Sequence, residues 1–359
     1  MKKESQSLLI VTTMLICIGI VMVYSSSSCY AYDIFYDSSY YLKRHLIHFV
    51  IGLVLAFAAF RIDYRKLREY SKPFLLVAIV SLIFSFVPGI GHEAGGARRW
   101  IKLGGFGFQP SEFAGLFLII YLSSALESKQ GHIRNFFYGF MPPLVAAGTL
   151  VLLILAQPDL GSAVTLLFVS IVMLFAAGAN MAYFLPFILV SAPAFYFLVL
   201  KVPYRLRRIV GYLDPWSDAQ GAGFQIIQSF LALGSGGIFG LGLGASRQKL
   251  FYLPQAHTDF IFSIIGEEAG LIGTVGIVLL FSVFIWQGIK ISIKTKDLFG
   301  KFLALGITVS IGLKAFINIA VSTGAIPTKG LPLPFISYGG TAFIVSMIGA
   351  ALLINIAES

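Results

Sequence analysis

The sequence predicts an all-α polytopic membrane protein with ten transmembrane helices and a large extracytoplasmic loop between helices 7 and 8. Three observations predict it. Of the 359 residues, 57% are hydrophobic and only 12% are charged, about half the charge of a soluble domain. The apolar residues gather in long runs with few charges, which read as membrane spans rather than as one oversized core. Only one connection between the runs, 201–258, is long.

The ten runs centre on 8–24, 45–60, 74–88, 113–126, 138–156, 161–177, 183–200, 260–287, 302–323 and 334–356. Several are shorter than the ~20 residues that a straight span needs, so their ends extend into flanking polar residues. The first run follows Lys2 and Lys3 and precedes a Ser/Tyr-rich stretch, a pattern that a signal peptide shares. Nine further spans favour a retained first helix. With the N-terminus inside, the inner side carries thirteen Lys and Arg and the short outer loops six, namely Lys43, Arg44, Arg98, Arg99, Lys102 and Lys329. That bias puts both termini in the cytoplasm. The chain 1–359 reads as a single membrane domain containing the loop 201–258.

Charge and cysteine usage exclude other classes. The net charge of +10 is not gathered into a basic stripe on a soluble segment, so nucleic acid is excluded as a partner. Cys17 and Cys29 give no disulfide framework, and the five histidines give no metal motif.

The outer loop 201–258 holds six basic residues on the side where the orientation rule disfavours them. Phe224 to Leu233 predicts a short interfacial helix with Ile227, Phe230 and Leu231 on one apolar face. The glycines from Gly234 to Gly244 lack the Gly-Lys-Ser/Thr ending of a nucleotide loop and follow no strand. They read as tight turns packed at the membrane surface, with backbone amides facing a diphosphate as the alternative. Three further polar stretches fall on the same outer side: Gly89–Glu112, Gln157-Pro158-Asp159 and Pro327-Thr328-Lys329-Gly330.

His257-Thr258-Asp259 ends the long loop, and Phe260 opens the eighth span. Asp259 has two readings: an anion offsetting a helix N-terminus, or a carboxylate at the mouth of an outer cavity. Glu267 lies roughly 12 Å deeper and about 80° around the same helix. Ionised groups at that depth face a cavity or a partner, and Lys314 in the ninth span is the evident partner for Glu267 or Glu268.

Five motifs in this order carry a family resemblance: Gly96-Ala97-Arg98-Arg99-Trp100-Ile101, Gln109-Pro110-Ser111-Glu112, Gln157-Pro158-Asp159-Leu160-Gly161, Gln248 through Phe262, and Pro332-Leu333-Pro334-Phe335-Ile336-Ser337-Tyr338-Gly339-Gly340. Together they make the chain similar to the SEDS family of shape, elongation, division and sporulation proteins over nearly its whole length. The Leu-Pro-Gln-Ala before His257 and the Pro327-Thr328-Lys329-Gly330 run resemble the division and sporulation branch more than the elongation branch.

The resemblance implies a peptidoglycan glycosyltransferase that polymerises lipid II on the outer face of the bacterial inner membrane, with Asp259 as its catalytic carboxylate. It implies that Arg98, Trp100, Asp159 and Lys329 share an outer cavity with Asp259. Lys102, Arg205, Lys249 and His257 complete the expected substrate-binding set, the cations being suited to a leaving diphosphate. Glu112, Glu267, Glu268 and Lys314 are expected in structural or cavity-lining roles. No metal site is expected, although a divalent cation (Mg or Mn) could share the charge work. The implied partners are a cognate class B penicillin-binding protein, a single-span transpeptidase, and other division proteins. The rival readings are a lipid II flippase or transporter, favoured by ionisable groups at mid-membrane depth, an elongation-type polymerase, and a recruiting scaffold.

Overall fold

The computed structural model describes residues 2–359 except 95–96, 104–105, 187–188, 191–192, 194–195 and 251, and leaves aside the side chains of 93, 94, 97, 98, 103, 106, 198, 199, 204 and 205. Its longer elements are α1 (Lys2–Phe35), α2 (Tyr40–Arg61), α3 (Ser71–Phe84), β1 (Gly91–Ala94), β2 (Ala97–Leu103), β3 (Phe106–Phe108), α4 (Pro110–Ser128), α5 (Met141–Ala156) and α6 (Leu160–Ala176). They continue with α7 (Pro203–Leu213), α8 (Phe224–Gly236), α9 (Ile261–Lys294), α10 (Leu298–Ser322) and α11 (Gly340–Glu358). Six helices are long and apolar enough to cross a membrane: α1, α2, Phe136–Ala156 (which contains α5), α9, α10 and α11. The fold is that of a mostly helical, multi-pass membrane protein.

Nine of the ten expected runs fall on described helices. The seventh, 183–200, includes residues outside the described set; flanking turns occupy Met181–Phe184 and Tyr196–Leu200. The α1 helix runs to Phe35, far beyond the apolar run 8–24, for a length of roughly 51 Å at 1.5 Å per residue. Its last turns therefore stand clear of a ~30 Å hydrocarbon layer.

The long helices begin and end at two ends of the bundle, which sorts the polar groups between them. At one end Ser5 Oγ donates to Glu358 at 3.0 Å, Lys294 pairs with Glu4 at 2.6 Å and Arg68 with Glu127 at 2.9 Å. Both chain termini lie there. The starts of α2, α4, α6, α9 and α11 lie at the opposite end, with Asp159, Asp259 and Lys329. The centre of the bundle is built from α4, α10 and α11, whose side chains are mostly buried, whereas α2 leaves most of its apolar residues outward.

The polar stretch Gly89–Glu112 contains a three-stranded antiparallel sheet in the order β1-β2-β3. His92 pairs with Trp100, and Lys102 with Gly107. The Trp100 ring covers Gly107, where an added Cβ would stand 3.2 Å from the indole. A flat aromatic side chain over a glycine on the neighbouring strand is a compact cross-strand contact, and it fixes Trp100 at the Asp259 end.

The α9 helix is broken at Gly270, which has φ 66° and ψ −162°. The glycine-rich segment after α8 fills the break. Leu241 N and Gly242 N donate to the carbonyls of Glu267 and Glu268 at 2.9 and 3.0 Å, while Leu271 N and Ile272 N donate to the carbonyls of Gly237 and Ile238 at 2.9 and 3.2 Å. Backbone groups freed at membrane depth must find partners inside the protein, and this loop supplies them. The α8 helix forms where an interfacial helix was expected, but Ile226, Ile227, Ser229 and Ala232 make its buried face, while Phe230 and Leu231 point outward.

Candidate active site

The turn 255–260 carries Asp259. Gln255, at φ 58°, opens the turn, and its carbonyl accepts from the amides of Thr258, Asp259 and Phe260 at 3.1–3.3 Å. Three consecutive carbonyls then point outward and are caught from other parts of the chain. Tyr338 N donates to His257 O at 3.0 Å, Ser337 Oγ to Thr258 O at 2.6 Å and Asn318 Nδ2 to Asp259 O at 3.0 Å. The Asp259 carboxylate lies against Gly330, where an added Cβ would stand 3.0 Å from Oδ2. Burial raises its pKa to about 6, against the opposing pull of Arg208 and Arg99.

Those cations are held by the neighbouring segments. Arg208, on α7, donates to Thr328 O at 3.2 Å, and Tyr212 of the same helix donates to Ala325 O at 2.9 Å. The long loop is thereby tied to the segment that carries Lys329. Lys329 is partly buried, and burial lowers its pKa. Arg99, on β2, approaches Asp159 at 3.8 Å. Asp159 caps α6 by accepting from Ser162 N at 3.1 Å and Ser162 Oγ at 2.9 Å, and Gln109 Nε2 reaches it at 3.4 Å. The carboxylate at this helix start is thus both a cap and an anchor for the sheet.

His257 is buried among Tyr30, Tyr41 and Tyr338, with ring centroids at 5.7, 4.6 and 5.8 Å. Burial lowers its pKa to about 4, so the imidazole is neutral at pH 7. The cluster fastens the turn to the outer ends of α1 and α2.

Two expectations are corrected. Lys314 pairs with Glu112 at 2.5 Å, not with Glu267 or Glu268. Glu268 pairs with Lys249 at 2.8 Å and accepts from Ser25 Oγ at 2.7 Å; Lys249 Nζ also donates to Gly244 O at 2.7 Å. Lys249 therefore points into the protein as a structural partner instead of joining the cations around Asp259. Glu267 accepts from Ser246 Oγ at 2.5 Å and from the amides of Arg247 and Gln248 at 2.9 and 3.3 Å. Lys102 is exposed on β2, and the side chains of Arg98 and Arg205 lie outside the described residues.

Beneath this site, a partly open pocket lies between α4, α6, α10 and α11. Ser111, Glu112, Ser162 and Lys314 line its outer part, and Ile119, Val169 and Ile307 its deeper part. Among the described residues no three His, Cys, Asp or Glu converge on a metal site. Sequence reasoning did not single out Asn318, Ser337 or Tyr41. An uncharged amide inside an apolar run was the one available signal for Asn318.

Residues 5–359 match the model of the cell cycle protein family of FtsW, RodA and SpoVE. The probable peptidoglycan glycosyltransferase FtsW of Geobacter metallireducens is 48% identical over 349 residues, covering 97% of this chain and 93% of that protein. The stage V sporulation protein E of Bacillus subtilis is 45% identical over 359 residues, covering 99% and 98%. Among solved structures, a chain of a peptidoglycan synthase complex that coordinates polymerization and crosslinking superposes with a TM-score of 0.81 at 29% identity, covering 98% of this chain and 96% of the other. The rod shape determining protein RodA of Thermus thermophilus superposes at 0.73 with 27% identity, covering 98% and 95%. The five motifs, the helical architecture and these matches along nearly the full length agree, and the chain belongs to the SEDS family.

Proposed function

We propose that this protein is a peptidoglycan glycosyltransferase that polymerises lipid II into glycan strands at the outer face of the bacterial cytoplasmic membrane, for the septal wall. The observation that carries the reading is a desolvated carboxylate, Asp259, with Arg99, Arg208 and Lys329 gathered at the same end of the bundle. The names of the relatives, FtsW and stage V sporulation protein E, agree with division-type wall synthesis. In this reading the fold has ten spans, both termini are cytoplasmic, 201–258 is an extracytoplasmic loop between spans 7 and 8, and the chain is one domain. The matched synthase complex supports a cognate class B penicillin-binding protein as partner.

In the mechanism, Asp259 accepts the proton of the acceptor sugar's 4-hydroxyl as that oxygen bonds to the donor's anomeric carbon. The bond from that carbon to the lipid diphosphate breaks, and the electron pair leaves with the diphosphate. A single displacement inverts the anomeric centre through an oxocarbenium-like transition state. Arg99, Arg208 and Lys329 stabilise the departing negative charge. The cavity under the site has a polar outer part and an apolar deeper part, which suits a lipid diphosphate and its first isoprenoid units.

The flippase reading drew on Glu267, Glu268 and Lys314, and each of these is engaged by a partner within the protein. The deciding experiment is glycan synthesis from lipid II by the purified protein with its transpeptidase partner. Asp259→Asn is expected to lower the rate by at least 100-fold, the scale of a lost general base, and Lys329→Glu to weaken donor use without loss of fold. Wild-type synthesis by a folded Asp259→Asn protein would remove the carboxylate from the mechanism.

A further inference from the structure

Asp259 sits on a turn rather than on a helix, and its placement depends on what holds that turn. Of the three donors that catch its carbonyls, Asn318 differs from the other two. Its side chain is 1% exposed, near the outer end of α10. Its single Nδ2 donates both to Asp259 O at 3.0 Å and to Leu331 O at 2.8 Å. One amide group therefore spans two segments that are far apart in sequence: the turn that carries the carboxylate and the stretch that carries Lys329 and Gly330. Its Oδ1 finds no donor among the described residues, so the two carbonyls alone set the orientation of the amide. Ser337, also buried, complements it by donating to Thr258 O while accepting from Leu333 N at 2.8 Å.

We infer that Asn318 is a positioning residue: it sets the placement of Asp259 relative to the Lys329–Gly330 segment, so that base and cation meet one substrate. The inference rests on the reading of Asp259 as the base. An apolar side chain of the same size would fill the space but leave two buried carbonyls without a donor. The turn and the 329–333 segment would then be free to shift against each other. Reacting groups must be held to within roughly 0.5 Å, and a 1 Å displacement costs on the order of 100-fold in rate.

The test compares purified full-length Asn318→Leu, Asn318→Asp and Ser337→Ala with the wild type and with Asp259→Asn, in complex with the transpeptidase partner and with lipid II as substrate. Asn318→Leu is expected to lower kcat by 10- to 100-fold, with KM changed less than about threefold and thermal stability within a few degrees of wild type. Asn318→Asp keeps the size but brings a second carboxylate to the turn, so the acid limb of its pH–rate profile is expected to move to higher pH. That shift reports proximity alone; the readout that a residue which only fills space would not move is the kcat of Asn318→Leu per folded molecule. Ser337→Ala loosens Thr258 alone and is expected to give a smaller fall in kcat. It also carries the test should Asn318→Leu fail to fold. Wild-type kcat in Asn318→Leu beside an inactive Asp259→Asn overturns the inference and leaves the base reading intact; an active Asp259→Asn overturns the base reading instead. A loss of rate that tracks only the fraction of folded protein also overturns it.

Discussion

Pressed against Gly330 and partly buried, the Asp259 carboxyl is raised to about 6 by burial, while Arg208 and Arg99 pull it down. The base form is the ionised one. With that pKa, roughly nine-tenths of the molecules hold it at pH 7 and about one-tenth at pH 5, so the polymerisation rate is expected to fall nearly tenfold between those values. Arg99→Ala removes a charge that favours the ionised form, so its acid limb is expected at higher pH than in the wild type. A pH–rate series on both proteins checks the sign. The place of Asp259 before α9 was legible in the sequence, because an acidic residue closing a long loop at a span boundary is visible without coordinates; the role proposed for it comes from the family resemblance. The partner of Lys314 was not legible. Glu112 precedes it by 202 positions, and which carboxylate a lysine meets depends on the rotation of two helices about their axes, which apolar runs do not record. The same limit hid Asn318, whose value comes from two carbonyls 72 residues apart.

Hydropathy marked the six helices long and apolar enough to cross a membrane because each must hide its backbone from lipid. It placed their ends poorly because α1 and α9 carry helix beyond the apolar stretch. The sheet at 91–108 escaped prediction for another reason: its strands are short, glycine-interrupted and held by cross-strand contacts such as Trp100 over Gly107. The break in α9 shows an element shaped by its neighbour. Gly240, at φ 80°, and Gly270, at φ 66°, pack backbone against backbone, and a Cβ on either would collide with the other segment. Gly270→Ala combines that collision with a strained backbone, so a loss of more than 1 kcal/mol is expected, read as a lowered unfolding temperature in detergent. The Lys249–Glu268 pair locks the same loop to α1 and α9 and is almost fully buried. Lys249→Met leaves Glu268 charged and unpaired, at a cost of about 3–5 kcal/mol. Adding Glu268→Gln, which preserves the bond with Ser25, is expected to recover most of it. Equal stability of the single and double variants would show that the pair carries no such weight.

Across the whole molecule, chemistry and charge are divided between two ends. The end with both termini carries Glu4, Glu127 and Glu358 in exposed or part-buried contacts with Lys294, Arg68 and Ser5. The opposite end carries the sheet, the Asp259 turn, Lys329 and the basic α7. Positive charge at that second end works against the orientation rule, which holds cations on the cytoplasmic side. Its retention there makes sense when an anionic diphosphate must be bound outside. In the proposed mechanism, lipid-linked substrate presented at the outer surface reaches Asp259 only if the termini are inside. Two cysteines placed by substitution test it directly. Tyr36→Cys lies between α1 and α2 at the Asp259 end, where Tyr36 is 84% exposed, and Lys296→Cys lies between α9 and α10 at the end with the termini. With Cys17 and Cys29 replaced by serine, a membrane-impermeant maleimide is expected to label position 36 in intact cells and position 296 only after the membrane is opened. Labelling in the reverse order would put Asp259 and its cations in the cytoplasm, where no glycan strand is laid down.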